Sequence, residues 1–343
     1  MMLTALIAFQ AVLAGPTGGV DPFAFFHPSV VVSADDYRQL NRGEPIARVL
    51  PGKDREVAIL AAVPVDIDGS RLVAWMRNIA ELKRSSYVVA IGRFSDSPSI
   101  DDLEGLTLDE EDLSEIRQCR PTACGLKLTG VEMRELQGVV RGAESGWKPV
   151  VQDAFRRVVL RRVENYLKGG HAALGNYEDH DRPVSLEARF SLILQHSPFL
   201  SQHLPRFADY LDRYPQMPLE DVESFVYWSK ERLGSKAIIS ATHVNILRGR
   251  SESLPDALVA GKEIFATHYV NGSLGLTAIV GGGQGSRRYL VYLNRSDVDI
   301  LGGFFGGIVR WFMERRLKAE AAGVLRGLRR RLESGEPPPL ATR

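Results

Sequence analysis

His243, in SATHVNIL, and His268 with Tyr269, in KEIFATHYVNGS, are the side chains best suited to acid–base work near neutral pH. On a strand, Phe265, Thr267 and Tyr269 face one way and Ala266, His268 and Val270 the other. His268 is thereby set among small apolar neighbours, where burial favours the neutral ring. Two uses fit both histidines: polar anchors or an acid–base pair for a ligand, or hydrogen-bonded strand histidines with no chemistry. Ser273 is near in sequence, but no G-x-S-x-G elbow presents it as a hydrolase nucleophile. Cys119 and Cys124, in CRPTAC, are spaced to close a small structural disulfide loop. Their C-x4-C spacing is neither the C-x-x-C of redox enzymes nor the C-x-x-C-H of haem attachment. Without a second cysteine pair, no metal site and no cofactor is expected. The acidic run from Ser95 to Ile116 lacks the alternating ligands and fixed glycine of a calcium loop.

The elements that must position these groups follow from the apolar pattern. EVAILAAVPVD (56–66) reads as a strand, RLVAWMRNIAEL as a helix through Trp75, and YVVAIGRF (87–94) as a second strand. Residues 147–234 read as helical. Within them Ser185 caps LEARFSLIL, and Pro218 and Gly234 bracket a helix over LEDVESFVYWSKERL. Thr107 and Glu110 form the pattern of a capping box. The period then shifts to two: KAIISATHVNIL, KEIFATHYVN, LGLTAIV and RYLVYLN are strands joined by Gly- and Ser-rich turns. GGGQG (281–285) joins two strands, so it is a hairpin loop and no dinucleotide fingerprint. Asp299 to Glu333 is one long amphipathic helix, with Ser296 or Asp297 as its N-cap and Arg295 pairing across the turn. Its glycines at 302, 303, 306 and 307 bracket Phe304 and Phe305, giving room for a close backbone or a ligand.

Size and charge narrow the classes of function. The chain has 343 residues, 43 Lys plus Arg against 42 Asp plus Glu, so no whole-chain field steers it to nucleic acid. Residues 1–14 are apolar and uncharged, and Gly15 and Pro16 follow. They read as a secretory signal, with a packed N-terminal element as the alternative. An Arg-rich last helix beside Trp311 and Phe312 allows peripheral contact with an anionic membrane. The expected organisation is a signal (1–14), a lead-in (15–42), the first part of an α+β domain (43–140), and a helical insertion or lid (147–234). The remaining strands with the last helix (235–333) and a frayed tail (334–343) complete it.

Strand, helix, strand, then antiparallel strands, then one long C-terminal helix is an order similar to the START-like superfamily of lipid-transfer domains and polyketide cyclases. The resemblance rests on EVAILAAVPVDIDGSRLVAWMRNI and on RYLVYLNRSDVDILGGFFGGIVRWFMERRLKAEAAGVLRGLRRRLE. It implies the helix-grip fold, a curved antiparallel sheet gripping the C-terminal helix over an apolar cavity. Binding or transport of a hydrophobic small molecule or lipid follows as the expected function. A cyclase- or hydrolase-type enzyme in the same cavity and a membrane-surface protein are the alternatives. Trp75, His243, His268, Tyr269, Tyr292, Arg295 and Phe305 are the ligand-contact candidates.

Overall fold

Residues 21–143, 146–233, 236–281, 287–301 and 306–339 are described by a computed structural model of the chain. A 3-10 turn (Ala24–Phe26) and α1 (Ala34–Asn41) lead in, burying Phe23, Phe25, Phe26 and Leu40. Next come β1 (Ile46–Leu50), β2 (Glu56–Val65), α2 (Gly69–Arg77), α3 (Ile79–Lys83) and β3 (Val88–Arg93). A helical section then holds α4 (Glu110–Ile116), α5 (Gly130–Gly142) and α6 (Trp147–Gly169). It continues through a short hairpin, β4 (Asn176–Tyr177) and β5 (Val184–Ser185), to α7 (Leu186–Gln195), α8 (Pro198–His203) and α9 (Pro205–Arg213). The chain ends with β6 (Val222–Leu233), β7 (Lys236–Arg248), β8 (Ala257–Ala266), β9 (Val270–Gly281), β10 (Arg288–Val298) and α10 (Gly306–Glu333).

The architecture is α+β, built on an eight-stranded sheet in the order β1-β2-β10-β9-β8-β7-β6-β3, with every neighbouring pair antiparallel. The first long strand therefore lies beside the last. Helices cover both faces. On one, termed the α10 face, α2, α3 and α10 pack on Ala61, Val63, Phe225, Val244, Ile246, Val259, Ile279 and Leu290. On the other, termed the α6 face, α4 to α6 cover Val226, Trp228, Ile239 and Phe265, while α7 to α9 cover Leu60, Leu258, Leu274 and Leu293. Side chains alternate along each strand, so a sheet covered twice carries apolar residues at successive positions. That is why EVAILAAVPV is buried throughout.

Several local expectations need correction. Residues 218–233 hold no helix, and Val222–Leu233 is β6: Phe225, Val226, Tyr227 and Trp228 are all buried, two on each face, which a strand satisfies and one helical stripe cannot. Thr107 is outside α4, whose N-cap is Asp109. Ser296 and Asp297 belong to β10 and cap nothing, because ladder pairing with β2 and β9 carries the strand to Val298. KEIFATHYVN is two strands and a turn, broken at Tyr269, whose φ of 61° lies in the left-handed region. Residues 334–339 dock on the body: Trp75 Nε1 donates to the Gly335 carbonyl (3.0 Å) and Asn78 Nδ2 to that of Pro338 (2.7 Å). Residues 1–14 and Phe305 lie outside the described residues.

Gly69 opens α2 with its Cα hydrogen against the chain entering β8. A Cβ there would sit 2.7 Å from the Asp256 carbonyl carbon. Gly69→Ala is expected to lower stability by about 1–3 kcal/mol, because backbone must move. Gly138→Ala, in open space within α5, should hold or raise stability by up to about 1 kcal/mol. Urea midpoints at pH 7.5 measure both.

Candidate functional site: a polar recess on the sheet

The α10 face divides in two along the strands. Its half beneath α2 is the apolar core just described. The other half carries short polar side chains and two glycines, and the ladder registers align them in rows. Tyr227, Thr242 and Glu263 form one row, Gly261, Gly275 and Asn294 a second, Thr277 and Tyr292 a third; Ser229 stands opposite Ser240, and Ser273 opposite Ser296. Ser240, Thr242, Gly261, Glu263, Ser273, Gly275, Asn294 and Ser296 are all partly exposed, and Tyr292 is 36% exposed. These positions lie in the middle of the sheet. On the opposite face of the same strands His243, Asn245 and Lys262 are 0–1% exposed.

The exposed surface lies between α3, on the β3 side, and α10, on the β1–β2 side. Burial raises the Tyr292 hydroxyl to about 12 and the Glu263 carboxyl to about 8, the latter with further help from the Glu231 charge. Lys83 of α3 reaches in from the β3 side, bonding the Tyr227 hydroxyl (3.2 Å) and pairing with Glu231. Burial opposes ionisation of Glu231, but Lys83 and the Ser229 hydroxyl (2.6 Å) hold its carboxyl below the usual range. On the other side α10 packs along β2 and β1. The floor between is stitched by hydroxyls and an amide: Asn294 Nδ2 donates to Ser273 Oγ (3.0 Å), and Ser296 Oγ lies 2.8 Å from Ser273 Oγ. Gly261 and Gly275 deepen it, since a Cβ on Gly275 would meet Asn294 and Tyr292 at ordinary contact distance. The Glu263 carboxyl has no hydrogen bond or ion pair among the described residues.

Of the residues singled out from the sequence, the structure brings Tyr292 into this recess. His243 is on the α6 face, its Nδ1 2.9 Å from the Tyr166 hydroxyl, with burial and then Lys262 lowering it to about 3. Arg295 is on that face too, paired with Glu56, which also bonds His196. Trp75 holds the C-terminal tail. His268 and Tyr269 sit at the β8–β9 turn, where His268 contacts Asp112 Oδ1 (3.0 Å) and the Gly125 carbonyl (2.9 Å). Sequence reasoning missed Glu263, Thr242, Ser240, Glu231 and Lys83. Alternation within KEIFATHYVN carried the signal, because Glu263 stands next to Lys262 inside a strand, where two charges have no ordinary place.

Two charged pockets of about 330 and 600 Å³ open at the same end as the β8–β9 turn. Cys124, of the Cys119–Cys124 disulfide, lines the smaller. Asp179, His180 and Asp299 bring ligand atoms within 4.8 Å of one another. Lys127 already pairs with Asp299 and lies 3.6 Å from Asp179, and Arg55 faces Asp297 and Asp299. An ammonium stands where a metal would bind, so the network neutralises itself. In α10, Arg329 donates to the Gly43 carbonyl and Arg331 to those of Leu82 and Arg84, turning part of the basic face inward. No helix among the described residues is long and apolar enough to cross a membrane.

No family model and no curated protein matches the chain. Among solved structures it is similar to TTHA0849 from Thermus thermophilus, at 13% identity over 39% of this chain and 86% of that one. The TM-score of 0.24 is too low for that likeness to carry an argument.

Lys262 gives the α6 face a testable charge defect. Burial lowers its ammonium from the usual 10.5 to about 7, with Asp212 and Glu187 opposing, and its Nζ donates to the Leu211 carbonyl (2.6 Å). The unfolded chain binds more protons than the folded one between these values, so stability rises with pH from about 7, by up to about 1.4 kcal/mol per unit. Lys262→Met is expected to stabilise the protein at pH 6.5 and to flatten that rise between pH 7 and 9, read from urea midpoints. An unchanged slope would show that another group is responsible.

Proposed function

We propose that this protein binds a small molecule in the recess on the α10 face, within a helix-grip arrangement of sheet and C-terminal helix. Support for the arrangement comes from β2 pairing with β10 and from α2, α3 and α10 sharing one face. The observation that carries the function is the row of partly exposed polar side chains at mid-sheet, walled by α3 and flanked by α10. A folded domain has every reason to fill such a space with apolar side chains, and partial exposure there is the signature of a ligand pocket. The floor is hydroxyl-rich, so the ligand is amphiphilic, with its polar group on the strands and its apolar body toward the helices. Cys119 and Cys124 form a disulfide, which favours an oxidising, exported setting.

Catalysis is the second reading, and one observation favours it: a carboxyl shifted to about 8 at the floor of a recess suits proton exchange near neutral pH. Glu263, rather than His243 or His268, would then be the acid–base group. The membrane-surface reading draws less support, because Arg329 and Arg331 are engaged with the body of the protein.

N-phenyl-1-naphthylamine, an uncharged fluorescent amphiphile, tests the binding reading directly. Saturable one-to-one enhancement is expected with the wild-type protein. Gly275→Phe should weaken it by about tenfold or more by filling the floor, where a Cβ alone already reaches contact distance of Asn294 and Tyr292, and a urea midpoint near that of the wild type would show that the variant is folded. Equal binding by the two proteins would place the dye elsewhere and remove the recess as the site.

A further inference from the structure

Among the described residues, the charges facing the recess do not balance. Facing Glu263 are Lys83 from α3, Tyr227 and Glu231 from β6, and Tyr292 from β10, with Lys127 contributing from the segment before α5. Lys83 is committed to Glu231, and Lys127 to Asp179, Asp299 and Asn271 in the end network. The Glu263 carboxyl is left without a hydrogen bond or ion pair among the described residues, although it stands in reach of solvent. Thr242 stands across the ladder and Tyr292 lies within the same floor, both uncharged. An anionic ligand would meet no uncommitted cation among these groups and would face an acidic one.

Resting on the recess being a binding site, we infer that its ligand carries a protonated amine, seated on Glu263, with an apolar body directed away from the strands. A fixed carboxylate beneath an ammonium replaces the water both ions lose, which a neutral or anionic ligand would not do. Lys83 and Glu231 form a settled pair beside it, in which the Glu231 charge opposes ionisation of Glu263 and the Lys83 charge favours it. Ionisation of Glu263, held back by burial in the empty recess, becomes favourable once the ammonium arrives. Binding below pH 8 therefore releases a proton from the protein.

n-Hexylammonium, n-hexanol and hexanoate, three probes with one apolar body, test the inference by calorimetry at pH 7 and pH 9. The ammonium should bind tightest, about tenfold or more tighter than the alcohol, and more tightly at pH 9 than at pH 7 as Glu263 ionises. At pH 7 its binding enthalpy should vary with the ionisation enthalpy of the buffer, reporting the released proton. Glu263→Gln should remove both the preference for the ammonium over the alcohol and the buffer dependence. A urea midpoint no lower than wild type would show that this variant is folded. Hexanol binding with no advantage for the ammonium, or hexanoate binding tightest, overturns the inference and leaves the recess as a site. Failure of all three probes to bind overturns the recess and the inference together.

Discussion

A strand that carries Lys262 and Glu263 side by side cannot let them pair, because alternation sends them to opposite faces of the sheet. β8 is a central strand, so both charges go into the protein, one on each side. Lys262 enters the α6 core, over the rings of Phe190 and Tyr166, and gives up much of its charge there. Glu263 enters the recess and is desolvated without being closed off. Two of the most strongly perturbed groups in the molecule thus arise from one dipeptide and one backbone period. Every assignment of function to this fold depends on which face each residue takes.

The faces differ because the helical section between β3 and β6 spends its apolar surface on one of them. Its α4 to α9 close the α6 face so fully that His243, Asn245 and Lys262 are almost inaccessible. The α10 face receives fewer elements: α2 at one end, α3 reaching in through Lys83, and α10 along the β1–β2 flank. Among the described residues, what they leave partly exposed is the polar half of the strands. The section expected from the sequence to be a helical insertion or lid packs its helices on the α6 face of the sheet. Its hydrogen bonds agree: Tyr210 to Asn245, and Tyr166 with His243, join the helices α9 and α6 to β7.

A polar floor also changes the meaning of the cavity. An apolar hollow selects ligands by shape and area alone, whereas unpaired hydroxyls and a carboxyl add the cost of leaving them unsatisfied by a wrong ligand. On the reading proposed above, selectivity would be a matter of polar matching along the β7–β10 floor, where Tyr292 and Glu263 stand on different rows. Hydrogen bonds among Ser273, Asn294 and Ser296 hold a third part of that floor in place.

Local pattern alone determined the strand–helix–strand opening, the series of late strands and the long last helix, because periods of two and near 3.6 are written in consecutive residues. It also placed Cys119 and Cys124 close enough to join, and Tyr292 on a strand. Local pattern misread 218–233 because residues buried on both faces of a sheet lose their alternation, and Pro and Gly at the ends then imitate helix caps. Which histidine faces a pocket, which charge finds a partner and which half of a face stays open were decided only by the tertiary structure. Each depends on strand neighbours and covering helices that are dozens of residues away in the chain, and no period within a strand encodes them.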